Sequence, residues 1–142
     1  MDPSGNAMPE SQLQPRPQLI AWIQGVYFAA TGLWPLLSIE TFQAVTGPKT
    51  DHLPTGSEAD HWLVNSVGVL VLSIGLTLLI AAWRRNGSIE IAVLGISSAL
   101  ALTAIDVIYV LRGTIAPIYL GDAAIEVALI AGWCVSLLRR LS

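Results

Sequence analysis

Residues 89–138 read IEIAVLGISSALALTAIDVIYVLRGTIAPIYLGDAAIEVALIAGWCVSLL. Two apolar runs, 89–111 and 115–138, are joined by the polar break Arg112-Gly113-Thr114. Each run matches the roughly 20 residues that an α-helix needs to cross the hydrocarbon of a bilayer. The short break predicts that the two helices pair as an antiparallel hairpin. Asp106, Asp122 and Glu126 lie inside or at the edge of these runs. A carboxylate in hydrocarbon costs a few kcal/mol or more, so each needs a partner or a water-filled cavity.

Two further runs lie upstream, at 19–37 and at 62–83, the second with a tryptophan at each end. Tryptophans at both ends fit the aromatic belts of the two membrane interfaces. Lipid offers backbone groups no partner, so each segment must satisfy its own hydrogen bonds as a helix. The alternating ten-residue segments of a membrane barrel are absent. The expected fold is all-α, a four-transmembrane-helix antiparallel bundle spanning 19–138. A disordered tail rich in proline precedes it over 1–18, and a polar outer loop occupies 38–61. A short interfacial helix is expected over 40–45, at the start of that loop. A signal peptide is the competing reading of 19–37. The run is long for a signal core of about 7–15 residues, and Trp34-Pro35 stands where small residues belong.

Composition agrees. Of the 142 residues, 54% are hydrophobic and 12% charged, about half the charge of a soluble domain. Mean hydropathy is positive. The net charge of −3 supplies no basic patch, so nucleic acid is excluded as a partner; the lipid bilayer is the expected one. The single cysteine, Cys134, allows no intrachain disulfide and reads as a small packing residue.

Lys and Arg set the expected orientation. With both termini cytoplasmic, Arg16, Arg84, Arg85, Arg139 and Arg140 lie inside, and Lys49 and Arg112 outside. The reverse arrangement inverts a five-to-two ratio, so the positive-inside rule favours cytoplasmic N and C termini. Asp106 then lies about 7–8 Å below the outer end of its helix, at 1.5 Å per residue. Asp122 and Glu126 share a face in the outer half of the last helix. The intramembrane acids converge on one leaflet.

This convergence predicts an outward-facing acidic pocket. Asp106, Asp122 and Glu126 form its core and Arg112 its counter-charge. Tyr27, Thr31, Asn65 and Tyr109 are its hydrogen-bonding walls, and the ligand is a small molecule, a lipid headgroup or protons. Gln24, Tyr27 and Thr31 recur at three- and four-residue spacing and so share one face of the first helix. The bland reading competes: Thr31 bonds back to its own helix, and the acids merely fix helix register. A metal site through His52 and His61 is a weak alternative, because the two are nine apart with no compact ligand spacing. No nucleophile elbow, phosphate loop, zinc motif or CxxC is present. Whether the chain is an enzyme, and with what cofactor, is left open by the residues. A membrane enzyme or redox subunit acting on a quinone- or sterol-like substrate remains an alternative, with the acids moving protons. A small structural subunit of a membrane complex is another. Gly95, Ala99 and Thr103, and likewise Ala124, Ala128 and Gly132, form small-residue faces. Such faces predict close pairing of the last two helices, or a homo-oligomer or larger membrane partner.

Two segments carry a resemblance. The first is Val45-Thr46-Gly47-Pro48-Lys49-Thr50-Asp51 followed by His61-Trp62-Leu63-Val64-Asn65-Ser66-Val67-Gly68. The second is Ala104-Ile105-Asp106-Val107 with Arg112-Gly113, then Tyr119-Leu120-Gly121-Asp122-Ala123 and Glu126. Over most of 20–138 the chain resembles small uncharacterised bacterial four-helix integral membrane proteins, distantly DoxX-like, with residues 52–60 standing as an insertion. The resemblance implies a four-helix fold in a bacterial inner (plasma) membrane and brings no activity with it. The matching positions are Lys49, Asp51, Trp62, Asp106, Arg112, Asp122 and Glu126.

Overall fold

The computed structural model describes residues 16–47 and 57–141. These are all-α, in five helices: α1 (Pro17–Leu37), α2 (Ile39–Thr46), α3 (Ser57–Trp83), α4 (Ile89–Leu111) and α5 (Tyr119–Leu141). Helices α1, α4, α5 and the 61–83 stretch of α3 are long and apolar enough to cross a membrane. The chain is thus built as a multi-pass membrane bundle. Most of the expected tail, and His52 with its neighbours, lie outside the described residues. Pro17 and Gln18, expected in the tail, are already helical; proline at the first helical position has no donor to waste and a φ preset for a helix.

The helix ends follow from local chemistry. Ser38 closes α1 through its N–H to the Trp34 carbonyl at 3.0 Å, and opens α2 by accepting from the Thr41 N–H at 3.4 Å. Trp34 donates to the Thr41 hydroxyl at 3.0 Å and meets the Phe42 ring edge-on at 5.7 Å. Those contacts hold α2 against the end of α1. A helix thus stands where the short one was expected, and it is slightly longer than 40–45.

Helix α4 stops at Leu111 as expected. Gly113 takes φ +69, and the N–H groups of Gly113 and Thr114 reach back to Val110 and Tyr109, each at 2.9 Å. This left-handed cap satisfies carbonyls that the helix leaves open. The next helix begins at Tyr119 rather than at 115. Pro117 is the reason: it has no N–H, and it pushes Ala116 away from helical geometry. Asp122 consequently sits in the first turn of α5, where the helix dipole favours a negative charge.

The tightest packing is between α1 and α3. A Cβ on Gly32 would stand 2.5 Å from the Leu72 nitrogen, and one on Gly75 2.6 Å from the Ala29 nitrogen. Gly25 faces Leu79, and Gly68 faces the Gly32 carbonyl. As the number rises on α1 it falls on α3, so the pair is antiparallel. Glycines seven apart on each helix, 25 and 32 against 68 and 75, let the backbones meet. The small-residue faces expected to matter most, on α4 and α5, behave differently. Gly95 and Ala99 are buried, but Ala124 and Ala128 are exposed. Helix α5 instead turns Ala123, Glu126, Leu129, Trp133 and Ser136 inward. The expected α4–α5 pairing holds; its seam on α5 is a different one. Cys134 is exposed, not a packing residue, because its neighbour Trp133 takes the core position.

Helix α1 touches all four other helices. Of its apolar window 39% is buried, against 17% for α3, so α1 is the central helix. Ile20, Ala21, Leu78, Ala82, Ala92 and Trp133 form one apolar cluster. Every member lies toward the end where α1 and α4 begin and α3 and α5 finish. That end, with the 84–88 turn, is called here the terminal end; the other, with α2 and residues 112–118, is the loop end. The Arg140 guanidinium donates to the Gly87 carbonyl and ties α5 to the turn.

Candidate functional site

Gln24 and Glu126, fully buried polar side chains toward opposite ends of the bundle, are held in opposite ways. Toward the terminal end, Gln24 is fully buried. Its Nε2 donates to the Gly95 carbonyl at 2.9 Å, and its Oε1 accepts from Trp133 Nε1 at 2.7 Å. Glycine at 95 is required, since a Cβ would lie 2.5 Å from Trp133 Nε1. One side chain thereby links α1, α4 and α5. The sequence marked Gln24 only as part of a polar face; its partners come from residues 71 and 109 positions away.

Toward the loop end four candidates come together. Asp106 on α4 and Glu126 on α5 are buried, Glu126 completely. The Tyr27 hydroxyl donates to Asp122 Oδ1, joining α1 to the first turn of α5. Tyr27 also feels the charges of Glu126 and Asp106. The charges acting on Glu126 are Asp122 and Asp106, both negative. Neither oxygen of Glu126 has a hydrogen-bond partner among the described residues. Buried polar groups are nearly always bonded, so such an orphan calls for an explanation.

The remaining candidates lie apart from these. Arg112 is exposed, with its guanidinium 5.8 Å from the centre of the Tyr109 ring. Tyr109 is itself exposed. Such a contact attracts a cation only weakly at an exposed site; Arg112 is not among the charges acting on Glu126. Asn65 lines a shallow recess formed by α3 alone, with Trp62, Ser66, Val69 and Leu70. Thr31 bonds back to the Tyr27 carbonyl at 2.9 Å, which is the local satisfaction weighed above. Tyr27 does not, since its hydroxyl crosses to α5.

Thr103 belongs with the acids. It lies four residues after Ala99 and three before Asp106, on the buried stripe of α4, and its Oγ1 is buried without a partner among the described residues. The sequence placed it on the face of Asp106 without assigning it a role. Among the described residues no group of three His, Cys, Asp or Glu is arranged to hold a metal; His61 stands on α3, and His52 lies outside the described residues. The chain matches no family model, no curated protein and no solved structure.

Proposed function

We propose that this protein resides in a bacterial inner membrane with both termini cytoplasmic, and that its working part is a proton-exchanging acidic site opening toward the outer face. Tyr27, Asp106, Asp122 and Glu126 compose that site. The single observation that carries the reading is Glu126, wholly enclosed and with neither oxygen hydrogen-bonded among the described residues. Ionisable groups placed at membrane depth mark ion and proton routes. A proton needs no cavity to reach such a group, whereas a bulky ligand does. This favours protons over the lipid or small-molecule readings of the same residues.

Half-buried Asp122 in the first turn of α5 and buried Glu126 one turn deeper make a two-step path inward. Below them the apolar cluster around Ile20, Leu78 and Trp133 closes the terminal end. The site is therefore one-sided, a place where protons are taken up rather than passed through. Orientation rests on the five-to-two division of positive residues.

Infrared difference spectroscopy of the reconstituted protein tests the reading. A carboxylic C=O band should change between acidic and alkaline buffer and vanish in Glu126→Gln. A spectrum identical in the variant and the parent removes Glu126 from proton exchange.

A further inference from the structure

Most hydroxyls described within the membrane helices bond back to their own helix. Thr31, Ser66, Ser73, Thr77 and Ser98 each turn back to the carbonyl one turn earlier, at 2.7–2.9 Å. That bond costs nothing in packing and satisfies the donor locally. Thr103 and Ser136 do not make it, although the oxygens of both are buried; of the two, only Thr103 stands near the acids.

The pairing of α4 with α5 shows what Thr103 faces. Gly95 meets Trp133, and Asp106 acts on Glu126, two pairs that fit one antiparallel register. Numbers rise on α4 as they fall on α5, so Thr103 is level with the turn that carries Glu126. Two buried oxygen groups on facing helices thus lie at one depth, each without a partner among the described residues. Asp106, one turn along α4, adds a third oxygen ligand type. The surrounding titratable groups are Tyr27 from α1, Asp106 from α4 and Asp122 from the same helix. None of the three is a cation donor like Lys or Arg.

We propose that Thr103, Glu126 and Asp106 form a binding site for one dehydrated monovalent cation of sodium size, which exchanges with the proton of the acidic site. The donor set is all oxygen, as hard cations require. One added positive charge offsets the ionised Glu126 carboxylate, on which only Asp122 and Asp106, both negative, act among the described residues. The threonine supplies a neutral lone pair, and for that it forgoes the bond to its own helix. The inference rests on the proton-exchange reading and goes one step past it, by naming the competing ion.

The test is thermal unfolding of the purified full chain in detergent. Sodium chloride is compared with choline chloride and with potassium chloride at constant ionic strength. A ligand bound only by the folded state raises the midpoint as it saturates. The parent and Thr103→Ser should show a saturable upward shift with sodium alone, reduced at acid pH, where protons compete. Thr103→Val and Glu126→Gln should lose it. Direct binding of radioactive sodium, displaced by protons, provides the second readout and does not depend on how well a variant folds. A parent with no sodium-specific shift and no bound sodium overturns the proposal, as does a full shift retained in Thr103→Val. If the infrared band still disappears in Glu126→Gln while sodium does nothing, the proton reading survives and the cation site falls.

Discussion

The terminal and loop ends of the bundle are built from the same four helices, yet they differ in one respect. At the terminal end every polar atom of Gln24 that the structure describes in use is paired, and the pairing joins three helices. At the loop end Glu126 is buried as deeply and bonded to nothing among the described residues. Both groups are costly to hold in hydrocarbon. One is held by its neighbours and so contributes to holding the bundle; the other is held in spite of them. The difference separates a polar residue that serves the fold from one that the fold must tolerate.

Substitutions can sharpen or break this contrast. The largest expected effect is at the α1–α3 seam. Gly75→Ala sets a methyl group 2.6 Å from the Ala29 nitrogen, against backbone that cannot rotate away. Overpacking of this kind costs about 1–3 kcal/mol or more. Detergent unfolding should show the variant clearly destabilised; a parent-like midpoint would mean that the two backbones do not approach as described. Gln24→Leu comes next. It leaves the Trp133 N–H unpaired and takes the interhelical donor from the Gly95 carbonyl, which keeps the Ser98 hydroxyl at 3.1 Å; hydrogen bonds between membrane helices are worth roughly 0.6 kcal/mol on average and up to about 1.7. A loss near the upper value is expected, since two bonds go at once. The smallest effect, and the one of opposite sense, is Glu126→Gln. Removing a buried, uncompensated carboxyl should leave stability unchanged or slightly higher, while abolishing proton exchange. If Glu126→Gln destabilised the bundle more than Gln24→Leu, the two ends would have to be assigned the reverse roles.

Much of this molecule was legible from residue order. The span 89–111 is bounded by a polar turn before it and by Arg112-Gly113 after it, and greasy length alone defines what lies between. The convergence of Asp106, Asp122 and Glu126 followed from counting residues back from helix ends, because an antiparallel bundle must bring those positions to one end. Three features were not legible, each for a physical reason. The glycine seam repeats at seven residues, so a search for small residues four apart finds Ala21, Gly25 and Ala29 but passes over Gly32, Gly68 and Gly75. The start of α5 was placed at 115 because Ile115 and Ala116 are apolar; hydropathy does not register the donor that Pro117 lacks. The partners of Gln24 lie on helices far away in sequence, and no local pattern in 17–37 names Trp133. Arg112 was expected to neutralise the acids by nearness along the chain, but its side chain stands exposed over the Tyr109 ring instead.

The link between α1, α4 and α5 also constrains how the protein is made. Helix α1 leaves the ribosome before α4 and α5, and the groups that satisfy its Gln24 amide are synthesised 71 and 109 residues later. Until Trp133 arrives, α1 must wait in the insertion machinery or in lipid with a bare amide. A nascent chain stalled before α5 therefore displays an unsatisfied polar group within the bilayer, a mark by which membrane quality control can tell an unfinished copy from a finished one.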